Sequence, residues 1–136
     1  MSIRRFEDIQ AWQVSRELCK SIYKLSASGK FAKDFSLRDQ VRRAAVSVMA
    51  NIAEGFERST TNELQAFIAI ARGSAGEVRS MIAVVKDRPK LKRYVAALQK
   101  IRSLAESCAR QLTGWSGAVD KLPFEGRRHL PEKDRA

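Results

Sequence analysis

Two stretches of the sequence place apolar or small residues alternately three and four positions apart for at least three heptads. The first series is Leu64, Phe67, Ala71, Ser74, Val78, Met81 and Val85. The second series is Leu91, Tyr94, Leu98, Ile101, Ala105, Cys108, Leu112 and Trp115. A heptad repeat keeps one stripe of an α-helix apolar, whereas a β-strand alternates every second residue. The repeats therefore predict two long helices that pack side by side and an all-α fold.

Two further helices are predicted upstream, at residues 7–25 and 37–54, from apolar residues at helical spacing. Ser36 is the expected cap of the helix at 37–54, and Gly55 is its expected end. Thr60 and Glu63 have the spacing of a capping box, which predicts that the third helix begins just after Thr60. Pro89 ends that helix and suits the first turn of the next one.

Four amphipathic helices with short connections predict a single domain, an up-down-up-down antiparallel four-helix bundle, over residues 1–117. Residues 118–136 carry prolines, glycines and many charges, and we expect a loose tail there. The longest connection runs over residues 26–35. Its two aromatic residues, Phe31 and Phe35, are expected to pack under the end of the bundle.

The second helix is apolar on more than the one face that a bundle needs. Ala45, Val48 and Ile52 supply the core face, which leaves a second apolar strip outside it. The strip consists of Val46, Met49, Ala50 and Ala53. An exposed apolar strip indicates an interaction site, so we predict a homo-oligomer with this helix at the subunit contact. The alternative is that alanine is simply a good helix former and the strip is small.

Polar residues of the same helix follow one seam, at Arg43, Ser47, Asn51 and Glu54, with Arg58 one step further. If a neighbour covers this seam, its members must satisfy one another's hydrogen bonds. Glu54 is then expected to hold Arg43 or Arg58, between helices or across subunits. A catalytic base at Glu54 would need a nucleophile or metal partner that the sequence does not offer.

The chain is strongly basic, with 26 Lys and Arg against 15 Asp and Glu and a net charge of +11. Residues 86–110 hold eight basic and two acidic residues, so over half of the excess lies there. The candidate nucleic-acid-binding residues are Arg42, Arg43, Arg72, Arg79, Lys86, Arg88, Lys90, Lys92, Arg93, Lys100 and Arg102. Clustered cations bind phosphates by charge and counterion release. The alternative is a solvated helix face, but such a face usually mixes acidic with basic residues.

Several kinds of site are disfavoured by the sequence. The one histidine, His129, lies in the predicted tail, so no zinc or di-iron centre is expected in the bundle. No catalytic residue, metal or cofactor is predicted, and the chain is not expected to be an enzyme. Aromatic stacking platforms are not evident, because Trp12, Phe67, Tyr94 and Trp115 fit core positions. We therefore expect recognition of phosphates and shape rather than of bases.

The two cysteines, Cys19 and Cys108, both lie within apolar helical patterns. Two small buried thiols in a reducing compartment are the simplest interpretation. The N-terminal residues show no signal-peptide pattern, and no run is long enough to cross a bilayer. A cytoplasmic location is therefore expected.

Four blocks of the sequence resemble a known family. The blocks are residues 6–13 (FEDIQAWQ), 40–47 (QVRRAAVS), 50–56 (ANIAEGF) and 71–74 (ARGS) with Glu77. They resemble the four-helix-bundle family encoded by intervening sequences of bacterial 23S ribosomal RNA genes, also labelled S23 ribosomal protein. That family is similar in fold to accessory variability proteins of diversity-generating retroelements.

The resemblance implies an up-down four-helix bundle that assembles into a ring, a pentamer, with a basic surface suited to RNA or DNA. In the retroelement branch it also implies a reverse transcriptase as partner, and it implies no catalytic residues. Two functions remain open: a nucleic-acid-binding oligomer, and a scaffold for an acidic protein such as a polymerase. A membrane-surface role is disfavoured, because the apolar faces are committed to heptad packing.

Overall fold

A computed structural model describes residues 3–121, except for the side chains of Lys90 and Lys92. Within these residues the chain is helical and has no β-strand. The α-helices are α1 (Gln10–Ser26), α2 (Gly29–Lys33), α3 (Phe35–Glu57), α4 (Thr61–Lys86) and α5 (Val95–Asp120). Short 3₁₀ helices lie at Phe6–Asp8 and Pro89–Tyr94. The all-α prediction is confirmed.

The four long helices share one apolar core. α3 packs against α1 and α4, and α5 also packs against α1 and α4. The heptad positions of α4 and α5 are buried or half-buried, as their spacing predicts. Ile52, Leu98 and Leu112 are among the side chains that the core buries completely. Burial of this apolar surface is the main stabilising contribution to the fold.

The ends of α3 differ from the sequence prediction. Its cap is Asp34, not Ser36, because the Asp34 carboxylate accepts the Leu37 backbone N–H at 3.3 Å. Gly55 does not end the helix, which continues to Glu57. At Gly55 an added Cβ would lie 2.8 Å from the Cβ of Phe67. The glycine therefore permits the close approach of α4 rather than a turn.

The predicted start of α4 is confirmed. The Thr60 hydroxyl accepts the backbone N–H of Glu63 at 3.2 Å, and the Thr60 and Glu63 side chains are joined by a hydrogen bond of 2.9 Å. At the next connection the chain does not enter an α-helix directly at Pro89. It forms a 3₁₀ helix first, and α5 begins at Val95.

The connection between α1 and α3 contains the short helix α2. Its two predicted core phenylalanines differ in burial. Phe31 is 1% exposed, as expected for a residue under the bundle end. Phe35 is 64% exposed, so the prediction that it also packs there is wrong. As the first residue of α3, Phe35 projects away from the core side, where Leu37 is the buried residue of that turn.

α5 extends further than the heptad pattern indicates. It continues through Gly114 and Gly117 to Asp120, and Val119 is buried. The first residues of the predicted tail are thus helical, while residues 122–136, including His129, lie outside the described residues. None of the described helices combines the length and the apolar composition that a bilayer-spanning segment requires.

Candidate nucleic-acid interface

Three cations of α4 lie on the flank of the helix that faces α5. Arg72, Arg79 and Lys86 are spaced by seven residues, which is two helical turns, so they share one side. The Arg72 guanidinium donates to the Thr113 hydroxyl of α5 at 3.4 Å. Arg79 and Lys86 line a cleft of about 420 Å³ together with Arg102 of α5. Cations from two helices therefore converge on one groove.

The charge of this groove is only partly compensated. Arg102 donates to the Glu106 carboxylate at 3.0 Å, an exposed pair on one helix. Among residues 3–121, no carboxylate lies within ion-pair distance of Arg79 or Lys86. Since like charges repel, the groove has a positive potential that attracts anions.

The predicted basic segment 86–110 does not form one surface. Arg88 pairs with Asp34 at the end of the bundle. Lys100 lines a different cleft, between α5 and α1, together with Lys24. Arg102 alone of the α5 candidates lines the cleft beside α4. The side chains of Lys90 and Lys92 lie outside the described residues.

Three further candidate arginines have other surroundings. Arg42 is half-buried, donates to the Ser26 hydroxyl at 2.7 Å and lies over the Tyr23 ring at 4.6 Å. Arg93 donates to the Tyr94 hydroxyl at 2.9 Å. Arg43 is exposed on α3. None of the three lines the α4–α5 cleft.

The apolar strip predicted on the second helix lies on the surface of α3. Val46 is 41% exposed, Ala50 is exposed, and Met49 and Ala53 are half-buried. Met49 lies two turns after Arg42, which contacts Ser26 and Tyr23 of α1. The strip therefore borders the α1 side of α3, and it stays accessible in a single chain.

Three members of the polar seam of α3, Ser47, Asn51 and Glu54, have hydrogen-bond partners within the chain. The hydroxyls of Ser47 and Ser74 are 2.7 Å apart. The Asn51 amide donates to the Ser47 backbone oxygen at 2.7 Å and to its hydroxyl at 2.9 Å. Glu54 accepts a hydrogen bond at 2.7 Å from Arg58, the residue that follows α3. Of its two expected partners Arg58 is therefore the one found, and the contact spans four residues rather than two helices.

Arg58 joins α3 to the start of α4. Besides Glu54, its guanidinium lies 3.5 Å from the carboxylate of Glu63 and 5.0 Å from the centre of the Phe67 ring. Glu54 and Arg58 thus belong to a packing contact between two helices rather than to an open site.

Both thiols are buried, as predicted. Burial raises the pKa of the Cys19 thiol to about 11 and that of the Cys108 thiol to about 12, and the nearby Cys19 adds to the shift at Cys108. A thiolate is the form that attacks substrates or binds metals, and both groups remain protonated at neutral pH. These thiols therefore act as small apolar core residues.

Sequence reasoning missed two lysines, Lys30 and Lys33, of a second basic region at the end of the bundle. Lys30 and Lys33 of α2 and Arg88 line a pocket of about 730 Å³ there. The two lysines lie in the connection at residues 26–35, outside the segments that hold the predicted basic residues. The spacing of three between the two lysines, flanking Phe31, is the signal that could have indicated a short amphipathic turn.

The comparison with known families agrees with the resemblance of the sequence blocks. No curated protein matches the chain. A family model described as 23S rRNA-intervening sequence protein matches residues 7–114, which is most of the chain and includes the seam, the strip and most of α5. The chain belongs to the family of 23S rRNA-intervening sequence proteins.

Proposed function

We propose that this protein is a non-enzymatic, basic homo-oligomer that binds the phosphate backbone of RNA or DNA. The observation that carries the proposal is the α4–α5 groove, where Arg79, Lys86 and Arg102 converge and two of the three have no acidic partner among the described residues. Arg72 extends the same row by two turns. A row of cations along a groove suits a polyanion better than a small ligand.

The expected recognition is of charge and shape. Phosphate contacts gain their affinity from counterion release and carry no sequence information. The lining of the groove includes no aromatic residue on which a base could stack. Because the family name refers to 23S rRNA intervening sequences, RNA is the polyanion to test first.

The proposed arrangement of the helices is up-down-up-down, with neighbours antiparallel. Two contacts between α3 and α4 support it, since Ser47 meets Ser74 while Gly55, later in α3, meets Phe67, earlier in α4. Between α4 and α5, Gln65 bonds to Ser116 and to Asp120 at the far end of α5. In such a bundle the α4–α5 groove runs along the outer length of the molecule.

Self-association is proposed through the exposed strip of α3, with the pentameric ring that the family resemblance implies. Small side chains at Ala50 and Ala53 let a second helix approach closely, and Val46 would lose its exposure to water. A ring would repeat the basic groove around its circumference and so raise the avidity for a long strand.

Light scattering tests the oligomer directly. We expect a mass above that of one chain at micromolar concentration, and a lower mass for Val46→Glu. Val84→Glu is the matched control, because Val84 is similarly exposed but lies on α4. A monomeric wild-type protein would contradict the assembly.

A salt series tests the nucleic-acid function on protein of known oligomeric state. Binding to single-stranded RNA should weaken with salt, with a slope of log K against log salt of about −0.7 for each phosphate contacted. Anionic vesicles serve as a polyanionic control without a strand. No binding to RNA or DNA at low salt would contradict the proposal and favour the second function, a scaffold for an acidic partner such as a reverse transcriptase.

A further inference from the structure

A pocket of about 730 Å³ lies at the end of the bundle, where α2, the start of α3 and the Pro89–Tyr94 helix meet. Its apolar lining comes from Phe35, Pro89 and Leu91. Its cationic lining comes from Lys30, Lys33 and Arg88. The volume is within the usual range of a small-molecule site, about 300–1,000 Å³. The pocket is separate from the α4–α5 groove and, unlike the lining of the groove, its lining includes an aromatic ring.

Phe35 is the unusual member of this lining. It is 64% exposed and contributes little to the core. The Arg38 guanidinium lies 4.9 Å from the centre of its ring, a cation–π contact that helps to orient the ring. An exposed aromatic ring beside an apolar pocket offers a surface on which another flat ring can stack.

The charge around the pocket is positive. Its one carboxylate, Asp34, is engaged by Arg88 and by the backbone N–H of Leu37. Lys30 and Lys33 have no ion-pair partner among the described residues, and both also line an adjoining cleft with Arg93. A complementary ligand therefore carries negative charge next to a flat apolar ring.

Gly29 lies where α2 contacts the Pro89–Tyr94 helix, and its lack of a side chain allows that contact. Its φ is +48°, a left-handed conformation that favours glycine, and an added Cβ would lie 2.9 Å from the Arg93 guanidinium and the Tyr94 hydroxyl. The absence of a side chain lets α2 lie directly against the Pro89–Tyr94 helix. The lysines of α2 and the apolar residues after α4 consequently face one pocket.

We propose that this pocket takes one unstacked nucleotide of a single-stranded nucleic acid, with the base stacked on Phe35 and the flanking phosphates at Lys30 and Lys33. A stacking ring together with a cationic path is the composition that binds single strands without reading sequence. The inference rests on the proposed function, and it adds a preference for single strands that the α4–α5 groove alone would not give.

The test uses the full chain and a single-stranded oligouridine with 2-aminopurine at one internal position, where the neighbouring uridines stack little on that base. Stacking of that base on Phe35 should quench its fluorescence. Phe35→Ala should abolish the quenching and weaken binding about 5- to 150-fold, the usual range for loss of one stacking ring. Phe35→Trp should retain both. Ile70→Ala, which removes another half-exposed apolar side chain on α4, is the control and should behave as wild type.

A duplex of the same length separates this inference from the proposed function. Its bases are already stacked, so wild type and Phe35→Ala should bind it equally. Salt-dependent RNA binding without quenching, and with no effect of Phe35→Ala, would overturn the nucleotide pocket and leave the phosphate groove standing. No RNA binding by the wild-type protein would overturn both.

Discussion

α4 packs against α3 on one flank and α5 on the other, and the polar side chains on the two flanks differ in what they contact. Toward α3, Ser74 meets Ser47, which also accepts from Asn51. Toward α5, Arg79 and Lys86 meet another cation, Arg102. Neutral hydroxyls and amides can satisfy one another, whereas like charges cannot. On the first flank the hydroxyls and the amide are hydrogen-bonded within the chain. On the second flank Arg79 and Lys86 have no carboxylate partner among the described residues, and we propose that the nucleic acid binds there.

The largest expected effect comes from removing the charge of the α5 flank. The triple variant Arg79→Gln, Lys86→Gln, Arg102→Gln should bind single-stranded RNA about 100-fold more weakly at 0.1 M salt, since about three phosphate contacts are lost. Binding is measured by fluorescence anisotropy at fixed salt. The stability of the fold should change little, because all three side chains are exposed.

The matched control removes the same charge from another surface. Arg16, Lys20 and Lys24 form an exposed row on α1 with a spacing of four. Their triple glutamine variant should lose less than about 5-fold in affinity, because screening limits the influence of distant charges. Equal losses in the two triple variants would mean that net charge, and not the groove, determines binding.

The second-largest expected effect is a loss of stability when the contact between α3 and α4 is disturbed. Gly55→Ala places a Cβ 2.8 Å from the Phe67 Cβ and 3.2 Å from Leu64, so α3 and α4 must move apart. We expect a loss of about 1–3 kcal/mol in the free energy of unfolding, measured with urea at constant protein concentration.

Gly73→Ala is the control for that substitution and should have the opposite sign. Gly73 is also within a long helix, but an added Cβ there has no atom within 4 Å. Alanine should stabilise α4 by about 0.5–1 kcal/mol through its better helix propensity. If the two substitutions shift stability in the same direction, the close contact at Gly55 is not what distinguishes them.

The smallest effect compares single hydroxyls on the two flanks. Ser74→Ala removes a buried partner of Ser47 and should cost about 0.5–1.5 kcal/mol without changing RNA affinity. Thr113→Ala removes two exposed contacts, one of 3.4 Å with Arg72 and one of 3.0 Å with the Ala109 backbone oxygen, and should change stability by less than about 0.5 kcal/mol. A larger stability loss for Thr113→Ala than for Ser74→Ala would contradict the account, in which the α3 flank and not the α5 flank contains the stabilising hydrogen bonds.

The heptad series predicted the core well, because periodicity reports directly which side of a helix is buried. The ends of the helices were harder to predict from the sequence. Gly55 has the residue type of a helix stop, and only the contact with Phe67 reveals why glycine is needed there. Asp34 and Ser36 are both suitable caps by residue type, and the backbone geometry selects Asp34.

The positions of the basic residues relative to one another were predicted in part. The spacing of seven correctly places Arg72 and Arg79 together on α4. The count of charges over residues 86–110 could not show that they point in several directions. The intervening Pro89–Tyr94 segment is a 3₁₀ helix, which has about 3.0 residues per turn instead of about 3.6. The spacing of charges along α4 therefore does not predict the directions in which Lys100 and Arg102 point. The exposure of Phe35 likewise follows from tertiary packing rather than from its residue type.

The most direct test of the central claim is the difference in salt slope between the wild type and the triple variant Arg79→Gln, Lys86→Gln, Arg102→Gln. Both are titrated with the same single-stranded RNA, and log K is plotted against log salt. The account predicts a slope shallower by about 2 for the variant, at about 0.7 for each of three lost contacts. Parallel lines would contradict it, since they would show that these cations do not hold phosphates.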